Sequence, residues 1–334
     1  MLDTNIETNI HVIAERFPEL RESILDTLSR WHEPHRHWHG MSHLTHCVER
    51  SMEMCQEYDR VFYTLVSLYH DAVYDPTRSD NEEESAKLVP DFSIVVDGRE
   101  LTGESVRLAV LQTKEDLYTE FNRIDRDILK TESLVELLEY EKGIFLEFQH
   151  CALSDYVKGR CDFLRGVSDE WITDANRNAL IEYVTKRTYR IGIYAGSFDP
   201  FHVGHNDIRL QAEKHFDKVV VALGTNGIKS YSPDRLDNVR CVLPHTQVLQ
   251  YHGLLSELCT DYTLQAENVE ITLVRGLRNI TDLQYEQNLR AALNDTGSVE
   301  TMYFMCDPKH QHVSSSLVRE LRSFGRSADE YLVR

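Results

Sequence analysis

The chain has 334 residues, of which 41% are hydrophobic, and this is enough to bury a core in each of two domains. Its 55 acidic and 36 basic residues give a formal net charge of −19, which argues against nucleic acid as the main partner because it repels a phosphate backbone. The seven cysteines form no CxxC pair, and neither a signal segment nor a long apolar run is present, so we expect a cytoplasmic protein with no disulfide framework and no membrane partner.

The spacing of apolar residues changes close to residue 187. Before it, apolar residues recur every three or four positions, which predicts an all-α domain over 1–187. After it, the short β-rich runs YRIGIYA, KVVVALG, VEITLVRG and ETMYFMC alternate with helical stretches, which predicts an α/β domain with a doubly wound parallel sheet over 188–334. We therefore expect a multidomain chain.

Histidines and aspartates cluster in the first half. The stretch HWHGMSHLTH places His39, His43 and His46 at i, i+4 and i+7, which is one face of a helix if that helix begins early enough. The stretch SLYHDAVYD adds His70 and Asp71 within an apolar helix. Buried groups of this kind are costly unless they are paired or bind a metal. Together with the carboxylates of RIDRDILK, they predict a site for one divalent ion.

Residues 20–166, through HWHGMSH, YHDAVYDPTRSDNEEESA and YVKGRCDFL, resemble the HD superfamily of metal-dependent phosphohydrolases. The resemblance implies hydrolysis of a small phosphorylated metabolite or nucleotide, with one Mn, Fe, Co, Ni or Zn ion. The implied ligands are His43, His70, Asp71 and Asp127, with Asp125 as the competing fourth ligand. His39 or Glu82 are candidates to assist the leaving group or orient the water, whereas His39 and His46 are equally compatible with surface or ring-stacking roles.

The second half begins with the stretch YAGSFDPFHVGH. A strand over 189–195 runs into Gly196 and Ser197, and a helix begins near Gly204. Such a loop directs backbone N–H groups and a helix N-terminus at a phosphate, which the small residues allow to approach closely. His202 and His205 lie at i and i+3, so both imidazoles are predicted to face the same anion.

This stretch resembles the T/S-x-F-D-P-x-H-x-G-H signature of nucleotidyltransferases. The further stretches GTNGIKS, RGLRNITDLQYE and VSSSLVRE narrow the resemblance to bacterial phosphopantetheine adenylyltransferase, over 189–334. The resemblance implies transfer of adenylyl from ATP, accompanied by Mg²⁺, to 4′-phosphopantetheine, with dephospho-CoA and pyrophosphate as products. Catalysis of this kind depends on positioning and charge neutralisation rather than on a covalent nucleophile.

The resemblance also implies a role for each matching residue. Ser197 and Phe198 would lie against both substrates, and His205 would stabilise the α-phosphate in the transition state. The other implied site residues are His202 and Gly204 in the opening motif, Lys229 and Arg275 on the acceptor phosphate, Gly276, Leu277, Arg278 and Glu286 on ATP, Ser314, Ser315 and Ser316 on its phosphates, and Leu255 in the acceptor channel.

Two alternatives remain open. His202 is closer to the wider superfamily than to the phosphopantetheine branch, so nicotinamide mononucleotide is a rival acceptor. A chain that binds nucleotides without turnover, as a sensor, is the alternative from another functional class. In either case the expected partners are small phosphorylated molecules, and the second domain is a candidate surface for homo-oligomers.

Overall fold

The computed structural model describes residues 4–114, 119–225, 231–284, 286–287 and 299–333. They fall into two compact units, one comprising Met1–Glu147 with Leu164–Leu180 and the other Phe148–Phe163 with Ile181–Arg334. The predicted boundary between the two functional domains, at 187 and 188, stays a prediction. The compact units divide the chain differently, since 148–163 and 181–187 belong to the second unit. Within the described residues, no helix is both long and apolar enough to cross a bilayer.

The first unit is helix-rich, and α9 and α10 contribute residues to both units. Its elements are α1 (Thr4–Arg16), α2 (Arg21–Arg30), α3 (Met41–Met52), α4 (Glu57–Tyr69), α5 (Asn81–Leu88), β1 (Ser93–Val96), β2 (Arg99–Thr102), α6 (Gly103–Gln112), α7 (Glu120–Asp125), α8 (Leu134–Glu147), α9 (Leu153–Gly166) and α10 (Asp174–Lys186).

Helix α4 passes through the core of this unit. Its apolar residues Val61, Leu65 and Leu68, at i, i+4 and i+7, are all buried. Each such side chain contributes about 1.5–3 kcal/mol when it is removed from water. The buried indole of Trp31 donates a 2.9 Å hydrogen bond to the carbonyl of Leu68, which satisfies a backbone acceptor in the last turn of α4. The end of this helix, where the His70–Asp71 pair follows, is therefore held rigidly.

The prediction of an all-α first half was wrong, because β1 and β2 form an antiparallel hairpin. The turn residues Asp97 and Gly98 have φ angles of 47° and 71°, the left-handed conformation that a two-residue hairpin turn requires. Strand β1 buries Ile94 and Val96 on alternate positions. This alternation is only four residues long, and the segments on both sides of it have helical spacing of apolar residues. The strand was therefore not predicted from the sequence.

The second unit contains a five-stranded sheet with the order β5-β4-β3-β6-β7, in which every neighbouring pair is parallel. Its elements are β3 (Tyr189–Gly196), α11 (Val203–Ala212), β4 (Lys218–Thr225), α12 (Arg235–Val242), β5 (Val248–His252), α13 (Leu255–Thr263), β6 (Val269–Leu277), β7 (Glu300–Met305) and α14 (Ser315–Ser323).

The predicted parallel α/β sheet is confirmed, and its four predicted strands are β3, β4, β6 and β7. Strand β5, an edge strand in which only Val248 is buried, was not predicted. The chain moves outward on one side of β3 through β4 and β5, and then returns to the other side through β6 and β7. This reversal places a crevice between the carboxyl ends of β3 and β6, which is where ligands bind in open parallel sheets.

Candidate functional site

In the first unit, two imidazoles and two carboxylates converge at the ends of three helices. His43 lies on α3, His70 and Asp71 follow α4, and Asp125 ends α7. The Nε2 atoms of His43 and His70 are 3.2 Å apart, and Asp125 Oδ1 lies 3.0 Å from the first and 3.4 Å from the second. Asp71 Oδ2 lies 3.3 Å from His70 Nε2. We call these four residues the histidine-aspartate cluster.

The donor set of this cluster fits a divalent ion. Ligands at about 2.1 Å from one ion are themselves about 3.0–3.4 Å apart, which is the spacing observed among the donor atoms of His43, His70 and Asp125, and Asp71 lies at the same spacing from His70. Nδ1–H of His70 donates to the carbonyl of Ser67 at 2.8 Å, and this contact orients the ring so that Nε2 is the ligand atom. Both histidines are buried, whereas the side chains of Asp71 and Asp125 are 16% and 20% exposed, which leaves a route from solvent.

The structure brings Asp125, and not the preferred candidate Asp127, beside the two histidines. Asp127 instead contacts His46 at 2.5 Å and accepts a 2.9 Å hydrogen bond from Arg50. The two aspartates diverge because α7 ends at Asp125 and a short 3-10 turn begins at Asp127. His39 likewise lies outside α3, since that helix begins only after Gly40.

Two carboxylates favour the protonated form of His70. Burial disfavours a charged imidazole, but Asp71 and Asp125 outweigh this cost and raise the pKa of His70 to about 10. Burial alone would raise the pKa values of both carboxyls, but the neighbouring histidines hold them below the ordinary range. Burial lowers the pKa of His43 in spite of its hydrogen bond to Asp125. A metal ion must therefore displace the proton of His70.

We expect the apparent affinity for Zn²⁺ or Co²⁺ to rise with pH, by about tenfold per unit for one displaced proton, because protonated His70 cannot bind metal. Titration calorimetry at about pH 6 and about pH 8, in buffers of different ionisation enthalpy, measures both the affinity and the protons released. An affinity that does not change with pH, with no proton released, would contradict the cluster as the binding site.

Cys47 also belongs to this neighbourhood, and it was not predicted from the sequence. It lies one helical turn after His43, is fully buried, and places Sγ 3.8 Å from His43 Nε2. Among the described residues, His43, Cys47, His70 and Asp125 form a group whose ligand atoms lie within 4.8 Å of one another. Burial raises the pKa of the Cys47 thiol well above its ordinary value. The spacing of four residues from His43 was the only signal available in the sequence.

Glu147, the last residue of α8, organises the loop that carries His39, and no sequence pattern pointed to it. Its Oε1 accepts hydrogen bonds of 2.7–2.8 Å from three successive backbone N–H groups, those of 37–39. Its Oε2 accepts from the hydroxyl of Tyr74 and contacts Nδ1 of His39 at 2.7 Å. The His39 ring stacks on Tyr74 and lies edge-on to His43, so Glu147 holds an imidazole beside the histidine-aspartate cluster.

Replacing Glu147 with alanine is expected to lower the free energy of unfolding of the first unit by about 3–5 kcal/mol, since three backbone donors lose a buried charged acceptor. Although burial opposes it, the charge of His39 holds the pKa of Glu147 at about 2, against an ordinary value of 4.5. The stabilisation is thus complete above pH 4.5 and is lost as pH falls towards 2. Urea denaturation as a function of pH measures the free energy of unfolding of the wild type and of Glu147→Ala. The control is Glu139→Ala, because Glu139 is an exposed residue on the same helix. Equal losses in the two variants would contradict this role.

In the second unit, a cleft of about 460 Å³ opens at the carboxyl ends of β3 and β6. The predicted residues that line it come from the β3–α11 loop, from β6 and the turn after it, and from the start of α14. They are Ser197, Phe198, His202, Gly204, His205, Arg275, Gly276, Arg278, Glu286, Ser314, Ser315 and Ser316. Cys306, Asp282 and Arg319 also line the cleft, although the sequence analysis did not select them.

His202 and His205 begin α11 as a reciprocal pair. Nδ1 of His202 accepts from the backbone N–H of His205, and Nδ1 of His205 accepts from that of His202, both at 3.3 Å. Their rings stack at 3.5 Å. Burial lowers the pKa of His202 to about 4 and lowers that of His205 well below its ordinary value, with repulsion from Arg278 adding to both. Both rings are therefore neutral at pH 7, and each offers Nε2–H as a hydrogen-bond donor rather than as a cation.

The arginines of the cleft are held by neighbouring groups. Arg275 donates a 3.0 Å hydrogen bond to the carbonyl of Ala195, and its Nε lies 3.4 Å from Glu286. Arg278 forms a two-point contact with Asp282, with N–O distances of 2.9 and 3.1 Å. Arg275 and Glu286, which the resemblance places on different substrates, thus lie next to each other. These pairs fix the direction of the guanidinium groups, which is what a site that binds phosphate needs.

Helix α14 borders the cleft with its N-terminus. Ser314 caps it by accepting a hydrogen bond of 3.1 Å from the backbone N–H of Leu317. The hydroxyl of Ser315 donates to the carbonyl of Pro200 at 2.9 Å, and Arg319 donates to Ser316 at 3.2 Å. The N-termini of α11 and α14 both border the cleft, so two helix dipoles favour an anion there.

Two predicted site residues within the described ranges do not line this cleft. Leu277 is a buried residue of β6, and Leu255 is a buried residue at the start of α13. Lys229 lies outside the described residues. Its role towards the acceptor phosphate stays a prediction.

Comparison with known proteins gives matches in the second unit. Residues 193–321 match the family model described as cytidylyltransferase-like. Phosphopantetheine adenylyltransferase from Leuconostoc citreum is 36% identical over 141 residues, covering 40% of this chain and 85% of that protein. The enzymes of the same name from Caldanaerobacter subterraneus and Streptococcus pneumoniae are 35% and 38% identical, and each match covers 43% of this chain and 90% of the relative. Through its C-terminal part, the chain belongs to the cytidylyltransferase-like family, with phosphopantetheine adenylyltransferases among its relatives.

Proposed function

We propose that the second unit transfers adenylyl from ATP to 4′-phosphopantetheine, giving dephospho-CoA and pyrophosphate. The observation that supports this most is the cleft of about 460 Å³ at the β3–β6 crevice, which is lined by two neutral imidazoles and by Arg275, Arg278 and Arg319. The names of its relatives support the same reaction class.

In this proposal an oxygen of the acceptor phosphate attacks the α-phosphorus of ATP. The new P–O bond forms as the bond from the α-phosphorus to the α–β bridging oxygen breaks, and pyrophosphate leaves. His205 donates Nε2–H to a non-bridging α-phosphate oxygen, whose charge grows in the transition state. The N-terminus of α14 and Arg278 hold the departing phosphates. Mg²⁺, bound mostly by phosphate oxygens and water, would neutralise part of the triphosphate charge.

The acceptor is identified by incubating the chain with ATP, Mg²⁺ and one acceptor at a time, followed by mass analysis of the product. With phosphopantetheine as the acceptor, we expect two products, dephospho-CoA and pyrophosphate, in equal amounts. Product only from nicotinamide mononucleotide would show the rival acceptor. Nucleotide binding without pyrophosphate release from any acceptor would contradict the proposal and favour a sensor.

We propose further that the first unit is a metal-dependent phosphohydrolase of the HD type. The supporting observation is the histidine-aspartate cluster, whose donor spacing fits one divalent ion. Such an ion, when bound, lowers the pKa of a coordinated water and polarises a phosphoryl oxygen. His39, oriented by Glu147, lies beside the cluster and is the candidate to hydrogen-bond the phosphate or its leaving group.

This second activity is tested on the full chain loaded separately with Mn²⁺, Fe²⁺, Co²⁺, Ni²⁺ and Zn²⁺. Release of inorganic phosphate is measured from p-nitrophenyl phosphate, nucleoside monophosphates and phosphopantetheine. We expect phosphate release with at least one ion and none after chelation. Metal binding without hydrolysis of any phosphate ester would contradict the hydrolase while leaving the metal site intact.

A further inference from the structure

Arg235, the first residue of α12, is a buried cation outside the cleft. It is 4% exposed, and no carboxylate within the described ranges lies at ion-pair distance from it. Its guanidinium Cζ lies 4.1 Å from the centroid of the Tyr231 ring. Burying a charge without an opposite charge is costly, so the hydrogen bonds that it makes must be structurally important.

Those hydrogen bonds connect two neighbouring strand ends. Nη1 of Arg235 donates to the carbonyl of Ser197 at 2.8 Å and to the carbonyl of Gly224 at 3.2 Å. Ser197 follows β3 directly, and Gly224 lies at the end of β4, which pairs with β3 in parallel. One side chain thus fixes the distance between the two loops that leave these strands.

The Ser197 carbonyl belongs to the peptide that carries the N–H of Phe198. Because this peptide is planar, holding its carbonyl also determines where that N–H points. Phe198 has a φ of 46°, a left-handed conformation that a residue with a side chain adopts only when its surroundings impose it. Ser197 and Phe198 both line the cleft, and the Phe198 ring packs edge-on against His205 at 4.9 Å.

We propose that Arg235 is a positioning residue for the nucleotidyl transfer, acting from behind the cleft on the Ser197–Phe198 peptide and, through the Phe198 ring, on His205. The proposal rests on the proposed transferase function of the second unit. Arg235 is not among the residues that line the cleft, and it lines a neighbouring cavity together with Phe198 and Tyr231. We therefore expect it to affect the placement of the α-phosphate more than the binding of ATP.

The test compares Arg235→Lys and Arg235→Ala with Arg240→Ala, an exposed arginine on the same helix. Steady-state kinetics with ATP and phosphopantetheine are measured for each, with thermal unfolding to confirm folding. We expect kcat to fall about 30- to 100-fold in Arg235→Ala while KM for ATP changes less than about threefold, as for loss of an interaction made only in the transition state. Arg235→Lys retains the charge but cannot bond both carbonyls in the same way. Its kcat is expected to lie between those of the wild type and Arg235→Ala.

A kcat within about twofold of the wild type in Arg235→Ala would overturn the proposal, as would an equal rise in KM and fall in kcat. If Arg235→Ala does not fold, Arg235→Lys decides: full activity overturns the proposal, and a lower kcat at unchanged KM supports it. Absence of wild-type turnover with every acceptor would overturn the proposed function and this inference with it. If the wild type turns over normally and the Arg235 variants keep the same kcat, only the proposed role of Arg235 would be overturned.

Discussion

Replacement of His205 with glutamine is expected to lower kcat for adenylyl transfer by about 10²- to 10³-fold, the usual effect of removing one preorganised donor to a developing charge. Glutamine is chosen because, at this third position of α11, its amide oxygen can still accept the His202 backbone N–H and preserve the cap. KM for ATP is expected to change little, since the arginines and both helix N-termini remain. Initial rates at saturating acceptor, together with the melting temperature, provide the measurement.

The matched control is His312→Gln, an exposed histidine outside the cleft, which is expected to leave kcat unchanged. Because burial, with His202 and Arg278, lowers the pKa of His205, kcat is expected to show no titration of this ring near neutral pH. A kcat that falls as pH rises through the ordinary histidine range would show that the imidazolium, not the neutral ring, is the active form. Equal kcat values in His205→Gln and the wild type would remove His205 from the mechanism.

The second large effect is expected at Asp125. Asp125→Asn should weaken divalent-metal affinity by more than about a hundredfold, since changes beyond the ligands themselves already cost about 10- to 100-fold. An amide is a poorer ligand than a carboxylate, and it also removes the negative charge between His43 and His70. Metal content after dialysis and the release of p-nitrophenol from p-nitrophenyl phosphate measure binding and hydrolysis separately.

Asp127→Asn is the matched comparison, because Asp127 carries the same group two residues away but contacts His46 and Arg50 instead. This variant is expected to retain its metal and to lose at most about 1 kcal/mol of stability, as is usual for a partly exposed pair. Loss of metal in Asp127→Asn with metal retained in Asp125→Asn would reverse the two assignments.

The sequence by itself determined the parallel sheet of the second unit and the position of the loop between β3 and α11. Local patterns suffice there, because β-rich runs such as that of β3 are short and mostly buried, and because Gly196 and Ser197 mark the turn into α11. The histidine and aspartate stretches also predicted a buried cluster, since a buried histidine next to an aspartate at the end of an apolar helix needs a partner. The family resemblance selected His43, rather than His39 or His46, to join His70 and Asp71.

Tertiary structure alone decided which carboxylate completes the cluster. Asp125 and Asp127 are two residues apart, and the direction of each side chain depends on where α7 ends. A helix end can be estimated from a sequence only to within one or two residues, which is too coarse to choose between them. The same limit applies to His39, which lies two residues before the start of α3, and to β1 and β2, whose four-residue strands are stable only because they pack on the helical core. The roles of Glu147 and Arg235 could not be predicted from the sequence for a different reason. Their partners are backbone groups, which every residue possesses, so only the folded chain shows that one buried charge orients the loop before α3 and another orients the Ser197 peptide.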